Sequence, residues 1–192
     1  MHHDEYMALP STYRLSDETA VADDLAIPAW TAAARSELLD VARRYRATIT
    51  YKELSEAVQL QSGVATRRLI QHWIGRVLGS VAATCHAAGE PLLSSLCVNA
   101  EGSVGPGYNV AILETYGPPE PEDADGHAAE ERLKCYVYFG ATLPPGGGVP
   151  ALTPKLAQQR VRASRLAMAS RPREVCPVCF QQKSATGACA CF

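Results

Sequence analysis

The fold is decided by the stretch TITYKELSEAV, which spans residues 48–58 of the 192-residue chain. Its first four residues are β-branched or aromatic and favour a short extended segment. Thr50 and Glu53 then have the Thr-x-x-Glu spacing of a capping box, in which each side chain binds the backbone N–H of the other residue. This spacing predicts a helix that begins at Tyr51 and runs to about Val58.

Helical periodicity continues on both sides of this stretch. Upstream, Pro28 suits a first helical turn, and the pattern up to Arg46 places apolar residues on one face. Downstream, apolar residues recur at helical spacing over about residues 65–88, and a glycine ends the pattern. Gly75 and Gly79 weaken this predicted helix, so we expect them to mark close packing against a neighbouring element.

The remaining segments predict a mainly α protein with a small β component. Residues 92–98 favour a strand, residues 127–139 a helix, and residues 153–170 a basic helix. We therefore expect a winged-helix-like core followed by a C-terminal helix and a zinc knuckle. The predicted organisation is an acidic N-terminal arm (1–26), a winged-helix-like domain with flanking helices (27–140), a Pro/Gly linker (141–154), and the basic helix with the zinc knuckle (155–192).

Composition and charge narrow the class of protein. Apolar residues make up 47% of the chain and charged residues 20%, which is enough for an ordinary core. Residues 1–154 carry eleven basic and nineteen acidic side chains, whereas residues 155–192 carry seven basic side chains and one acidic side chain. A basic tail on an acidic body indicates an anionic partner, although a solvated helix face has the same pattern. The sequence lacks a signal peptide and a membrane-length apolar run, so we expect a cytoplasmic protein with no membrane partner.

Four of the seven cysteines lie within the last seventeen residues. Their spacing is Cys-x-x-Cys, nine residues, then Cys-x-Cys, which allows two pairs of thiolates to converge on one tetrahedral ion. An odd number of cysteines clustered in this way argues against a secreted disulfide framework. We predict one structural Zn²⁺ with no coordination position left for water, held by Cys176, Cys179, Cys189 and Cys191.

Two other readings of these cysteines remain open. Four thiolates also hold iron–sulfur clusters, and Cys176 with Cys179 has the spacing of a redox dithiol, although the second pair argues against it. The three remaining cysteines, Cys85, Cys97 and Cys135, have apolar neighbours, and we expect them in the core rather than as reactive thiols.

Several motifs follow one another across about residues 48–110. The Tyr-x-x-Leu-Ser sequence from Tyr51 precedes Arg67-Arg68, and a Glu101-Gly102 turn then leads to Gly105-Pro106-Gly107-Tyr108. In this order they resemble the DNA-binding domain of O6-alkylguanine-DNA alkyltransferases and of their catalytically inactive alkyltransferase-like relatives. That family has a Tyr-x-x-Leu-Ala helix, an Arg-containing recognition helix, an Ile-Pro-Cys-His-Arg strand and a glycine-rich turn. A related domain fused to restriction-type nucleases is similar as well. The resemblance implies a winged-helix DNA-binding module.

The departures from this family bear on activity. When the chain is aligned on the Glu101-Gly102 turn, the alkyl-accepting cysteine falls at Ser94 and the following His-Arg falls at Ser95-Leu96. An alkyl acceptor must be an activated thiolate, and a serine hydroxyl with no adjacent histidine cannot replace it. The sequence therefore predicts that alkyl transfer is lost.

The binding surface implied by the resemblance is retained. The family's tyrosine corresponds to Tyr51, and its base-displacing arginine corresponds to Arg67 or Arg68. On a helix, Arg68, His72 and Arg76 would share one face, since they are spaced four residues apart. This prediction requires that face to project outward, free of intramolecular carboxylates. The predicted DNA-binding residues of this surface are Tyr51, Lys52, Arg67, Arg68, His72 and Arg76.

Each of these residues also has a purely structural reading. The basic positions match an ordinary solvated helix face, Tyr51 suits a core aromatic residue, and His72 suits a surface residue. The basic helix gives a second candidate surface for an anionic partner. Its basic residues are Lys155, Arg160, Arg162, Arg165, Arg171 and Arg173, of which Arg160, Arg162 and Arg165 are the predicted DNA-binding residues.

Three classes of function are compatible with these features. The favoured prediction is a non-enzymatic DNA-binding protein that uses the winged-helix-like module and the basic zinc-knuckle tail. The alternative is an adaptor whose zinc knuckle and basic helix dock an acidic protein. An enzyme is the third, but the sequence has no recognisable nuclease motif, phosphate loop or Ser-His-Asp order. We expect no small-molecule substrate.

Overall fold

The computed structural model describes residues 9–170, 175–183, 187, 189 and 191. The chain divides after Leu156 into two compact units. The predicted arm lies only partly within the described residues, because residues 1–8 fall outside them. Arg171 and Arg173 of the predicted basic helix also fall outside them.

The described residues form six α-helices, four short strands and two short 3-10 helices. This composition confirms a mainly α protein with a small β component. The α-helices are α1 (Asp23–Ala42), α2 (Tyr51–Ser62), α3 (Ile74–Ala88), α4 (Gly107–Tyr116), α5 (Ala124–Tyr138) and α6 (Pro154–Ala169). The strands are β1 (Thr12–Arg14), β2 (Ile49–Thr50), β3 (Val64–Thr66) and β4 (Cys97–Val98), and the 3-10 helices are Ile70–His72 and Leu93–Leu96.

The capping box predicted at the start of α2 is confirmed. Thr50 Oγ1 accepts a hydrogen bond from the Glu53 backbone N–H at 3.2 Å, and Glu53 Oε2 accepts one from the Thr50 backbone N–H at 2.8 Å. The helix continues past the predicted end and stops at Gly63, whose φ of 68° is left-handed. Glycine adopts this conformation without the steric cost that a Cβ brings.

The strands form two separate two-stranded pairs. β1 pairs antiparallel with β3, so that Thr12 lies opposite Thr66. β2 pairs parallel with β4, so that Ile49 lies opposite Cys97. The first pair attaches the segment before α1 to the segment after α2.

The first pair also explains why the helix predicted over residues 65–88 is wrong in its first third. Residues 64–66 are extended, because their backbone groups bond with β1. The Arg67 N–H then donates to the Ser11 carbonyl at 2.8 Å, and α3 does not begin until Ile74. Arg68, His72 and Arg76 therefore do not share one helix face. Periodicity within a segment cannot reveal a partner strand fifty residues away.

Other elements also differ from the prediction. The first helix begins at Asp23, so Pro28 lies inside it rather than in its first turn. Residues 92–98 form a 3-10 helix and a two-residue strand instead of one strand. Helix α4 was not predicted, because its glycine-rich start favours a loop.

The core of the first unit forms where α1, α2 and α3 pack together. Trp30 and Trp73 contact each other with ring centroids 4.5 Å apart. Trp30 Nε1 donates a 2.7 Å hydrogen bond to the Val64 carbonyl, so the indole is buried with its polar group satisfied. Leu38 and Leu54 are fully buried in the same cluster.

The three isolated cysteines are core residues, as predicted. Cys85, Cys97 and Cys135 are all buried. Burial raises the pKa of each thiol, because the apolar surroundings disfavour the thiolate. These thiols are therefore poor nucleophiles.

The second unit contains most of α6 and the cysteine-rich segment. Helix α6 ends at Ala169, close to the predicted end of the basic helix. Val175 and Gln182 form an isolated antiparallel bridge, and the Cys176 N–H donates to the Gln181 carbonyl at 2.8 Å. Among the described residues, no helix combines the length and the apolar character that crossing a bilayer requires.

Candidate metal centre and binding surfaces

The four C-terminal cysteines lie close together, and we call them the cysteine cluster. The ligand sulfurs of Cys176, Cys179, Cys189 and Cys191 all lie within 4.8 Å of one another. The Sγ–Sγ distances are 3.7 Å for Cys176–Cys191, 3.2 Å for Cys179–Cys189 and 2.9 Å for Cys189–Cys191. Bonds of about 2.3 Å to a tetrahedral ion put sulfurs about 3.8 Å apart. The cysteine cluster could therefore hold a metal ion.

A tight turn builds the first half of the cluster. The Phe180 N–H donates to the Cys176 carbonyl at 2.9 Å, which closes the turn between the first two cysteines. The Val178 N–H points at Cys176 Sγ, 3.4 Å away. Backbone N–H groups of Cys179 and Val178 hold the pKa of the Cys176 thiol at about 6, because they stabilise the thiolate. The turn thus prepares one sulfur for a cation.

Two of the predicted DNA-binding arginines are held by one carboxylate. Both terminal nitrogens of Arg68 donate to Asp23, one of them at 3.0 Å. Arg76 Nη1 donates to the same carboxylate at 3.3 Å. The expectation that these two side chains project free of carboxylates is therefore wrong. The cause is the earlier start of α1, which brings Asp23 beside them.

Arg67 is also engaged within the protein. Its guanidinium lies over the Tyr13 ring at 3.9 Å from the centroid. Its Nη1 donates to the Pro10 carbonyl at 2.6 Å, and its Nη2 lies 3.9 Å from Glu18. The segment before α1 therefore occupies the donors that the prediction assigned to DNA.

The other predicted residues of this surface are placed differently. Lys52 is exposed on α2 with Glu56 at 3.9 Å, and His72 is exposed at the end of a 3-10 helix. Tyr51 is partly buried, and its hydroxyl accepts a 2.9 Å hydrogen bond from the Gly105 N–H. A Cβ at Gly105 would lie 2.6 Å from that hydroxyl, so this contact requires glycine.

A cavity of about 290 Å³ lies beside Tyr51, and we call it the Ser94 pocket. Ser94 is 5% exposed, and its hydroxyl has no hydrogen-bond partner among the described residues. None of the lining side chains that the structure describes is charged, so the pocket suits a neutral ligand. The lining residues are Tyr51, Ile70, Gln71, Ile74, Gly75, Leu78, Gly79, Ser94, Gly105, Pro106, Gly107, Tyr108 and Ala111.

Two glycines of α3 keep this pocket open. Gly75 and Gly79 line it, and a Cβ at either position would meet no atom within 4 Å. The expectation that they mark close packing against a neighbour is therefore wrong. Their four-residue spacing was the available signal, but spacing alone does not distinguish a packed face from an empty one.

Helix α6 presents an exposed basic surface. Arg162 and Arg165 are exposed, and Arg160 is exposed with an interaction of its own. Lys155 at the start of the helix belongs to the first unit, where it lies 2.9 Å from Glu101. The sequence has no acidic residue from Lys155 to Arg173. This part of α6 therefore carries positive charge with no carboxylate of its own.

No known family model matches the chain, and searches of curated proteins and of solved structures likewise find no significant match.

Proposed function

We propose that this protein is a non-enzymatic DNA-binding protein in which basic side chains of α6 contact the phosphate backbone. The observation that carries the proposal is the exposure of Arg162 and Arg165 on a helix segment without acidic residues. Such a surface attracts polyanions, because contacts with phosphates release bound counterions. The resemblance of residues 48–110 to the alkyltransferase family supports DNA as the polyanion.

In this proposal the cysteine cluster binds one structural Zn²⁺. Four thiolates complete a tetrahedral shell and leave no open position for a reacting water. The surrounding segment is too short to bury a core, so metal binding supplies its folding free energy. An iron centre uses the same thiolates, and metal analysis separates the two.

The Ser94 pocket supports recognition of a base rather than of the backbone alone. Its lining is neutral and mostly apolar, as suits the faces of an unstacked base. The Ser94 hydroxyl is buried without a partner among the described residues, so it bonds a polar group of that base only after the side chain rotates toward the pocket. The resemblance puts Ser94 at the family's acceptor position, and a serine there binds without accepting an alkyl group.

The arginines around Asp23 have a smaller role in this proposal than the sequence suggested. Arg68 and Arg76 do not meet the condition set for this surface, because both pair with Asp23, so they are not assigned to DNA. The main electrostatic contribution is assigned to α6 instead.

A salt series of duplex-DNA gel shifts tests this assignment. Replacing both Arg162 and Arg165 by glutamine should lower the slope of log affinity against log salt by about 1.8, since each phosphate contact contributes about 0.9. The matched control replaces Arg43 and Arg44, two exposed arginines just after α1. An unchanged slope in the α6 variant, or an equal decrease in the control, contradicts the proposal.

One observation favours a second candidate, an adaptor that docks an acidic protein. Val161, Leu166 and Met168 are 52%, 62% and 69% exposed on the same helix as the arginines. Exposed apolar side chains suit a protein surface better than a phosphate backbone. If the protein binds no duplex at low salt, and replacing Leu166 and Met168 by serine abolishes binding to a purified acidic partner, the adaptor function holds.

A further inference from the structure

A buried arginine in the first unit lacks a counter-charge. Arg132 on α5 is only 3% exposed. Its guanidinium donates to the Ser95 carbonyl at 3.1 Å and, more weakly, to the Ala151 carbonyl at 3.4 Å. No carboxylate of the described residues lies within 4.0 Å of it. Buried charges are normally paired, because an isolated one is costly.

The nearby carboxylates already accept hydrogen bonds from other groups. Glu131 accepts hydrogen bonds from the Leu92 N–H and from Lys134. Asp125 accepts hydrogen bonds from Ser103 and from the Val104 N–H. Neither acid forms an ion pair of 4.0 Å or less with Arg132, so within the described part of the chain its charge is stabilised by carbonyl dipoles and by longer-range charges such as that of Asp125.

Arg132 lines a cavity of about 80 Å³, which we call the Arg132 cavity. One water requires about 10–15 Å³ of such space, so the cavity has room for a group of several heavy atoms. Arg46 and Thr48 line it together with Arg132. Thr153 also lines it, but its hydroxyl already donates to the Gly102 carbonyl at 2.8 Å.

Arg46, a second arginine in the lining, has an unusual backbone conformation. Its φ is +64°, a left-handed conformation that costs a non-glycine residue about 1 kcal/mol. Such conformations concentrate at functional sites. The side chain is exposed and lies beside the Tyr45 ring, 5.4 Å from its centroid. The cavity lining therefore includes one buried arginine, Arg132, and one exposed arginine, Arg46.

The two positive charges also act on one common neighbour. Burial raises the pKa of Tyr136 to about 12, and the charges of Arg132 and Arg46 both oppose that increase. Tyr136 lines the same cavity. The positive potentials of the two arginines therefore overlap there.

We propose that the Arg132 cavity binds a single phosphate-class oxyanion between Arg132 and Arg46. The anion supplies the counter-charge that Arg132 lacks, and the hydroxyl of Thr48 donates to it. The site consists only of residues of the first unit and does not rest on the DNA-binding proposal. Free phosphate and the terminal phosphoryl group of a small molecule share the chemistry that this site recognises.

Calorimetric titration of the full-length, metal-loaded protein with inorganic phosphate, in chloride buffer of fixed ionic strength, tests the site. We expect saturable binding of one phosphate per chain. Arg46→Gln should weaken it about tenfold, because one charge-assisted hydrogen bond is lost. Arg44→Gln changes an exposed arginine outside the cavity lining and should leave the phosphate affinity within about twofold of wild type.

A second ligand distinguishes free phosphate from a terminal phosphoryl group, and a second variant keeps the result interpretable if Arg132→Met does not fold. Glycerol phosphate that binds as well as phosphate identifies a terminal phosphoryl group, whereas binding of phosphate alone identifies the free ion. Arg132→Met should abolish binding if it folds, and Arg46→Gln decides the question if it does not. No saturable binding up to about 10 mM phosphate, or equal binding by wild type and Arg46→Gln, overturns the proposal.

Discussion

Asp23 in the first turn of α1 holds Arg68, which lies forty-five residues further along the chain. Each terminal nitrogen of Arg68 bonds to a different oxygen of the carboxylate. Arg76 shares one of those oxygens at 3.3 Å. The ion pairs fix α1 against the segments on either side of the Ile70–His72 3-10 helix.

Replacing Asp23 by asparagine should destabilise the protein by about 1 kcal/mol, because two partly exposed ion pairs are lost. Urea unfolding of the first unit measures the difference. The control is Asp40→Asn, which removes only the exposed pair between Asp40 and Arg43. An equal effect of both substitutions would show that the Asp23 pairs have no special role.

The same pairs predict how this difference depends on pH. The hydrogen bond from Arg68 is the main cause that lowers the pKa of Asp23 below its usual 3.8. A lowered pKa means that the stabilisation is fully present above the unfolded-state value and is lost as pH falls through the folded-state value. Wild type and Asp23→Asn should therefore differ most above about pH 5 and converge in stronger acid. A difference that grows on acidification contradicts this assignment.

Replacing Gly75 and Gly79 by alanine should increase the stability of the protein and weaken its binding to DNA. Each substitution should stabilise α3 by about 0.5–1 kcal/mol, since alanine is the better helix former and its methyl group meets no atom. The same methyl groups narrow the Ser94 pocket and should weaken binding to duplexes that contain one unpaired base. Thermal unfolding and gel shifts measure the two effects. Ser80→Ala, outside the pocket lining, is the control for helix propensity, and weaker binding there would refute the pocket's role.

Cys179→Ser should remove the metal ion. One sulfur ligand is lost, and the remaining three no longer close the shell. Metal analysis of the purified protein should find one zinc per chain in wild type and much less than one in the variant. Val178→Ala changes an exposed residue in the same turn and should keep the full metal content. Equal zinc in Cys179→Ser and wild type would exclude this sulfur as a ligand.

Tyr51→Phe should destabilise the first unit by about 1–3 kcal/mol, because it leaves the Gly105 N–H without its 2.9 Å acceptor. Urea unfolding measures the loss. Tyr138→Phe, at a side chain that is 57% exposed, should have little effect. If the two variants unfold alike, the Tyr51 hydroxyl does not support the loop before α4.

The features that could be predicted from sequence are local in the chain. Thr50 and Glu53 are three residues apart, so their spacing alone predicts the start of α2. The spacing of the two cysteine pairs likewise predicts that the four sulfurs lie close together, and they do. The basic helix ends close to its predicted end, because its start and stop signals lie within the segment.

The features that could not be predicted depend on distant partners. Pairing of β1 with β3 joins residues fifty or more positions apart and replaces the first turns of the predicted helix. The contact of Asp23 with Arg68 follows from that pairing and from where α1 begins. The open space beside Gly75 and Gly79 depends on how α4 and the Leu93–Leu96 turn are placed, which no local pattern encodes.

The contact between Trp30 and Trp73 gives the protein an internal optical reporter. These are the two tryptophans of the whole sequence, and both belong to the first unit. Intrinsic indole fluorescence therefore follows the unfolding of the first unit alone. Under the proposed zinc binding, a chelator should leave this emission unchanged while the cysteine-rich segment unfolds, so the two events can be recorded separately in one sample.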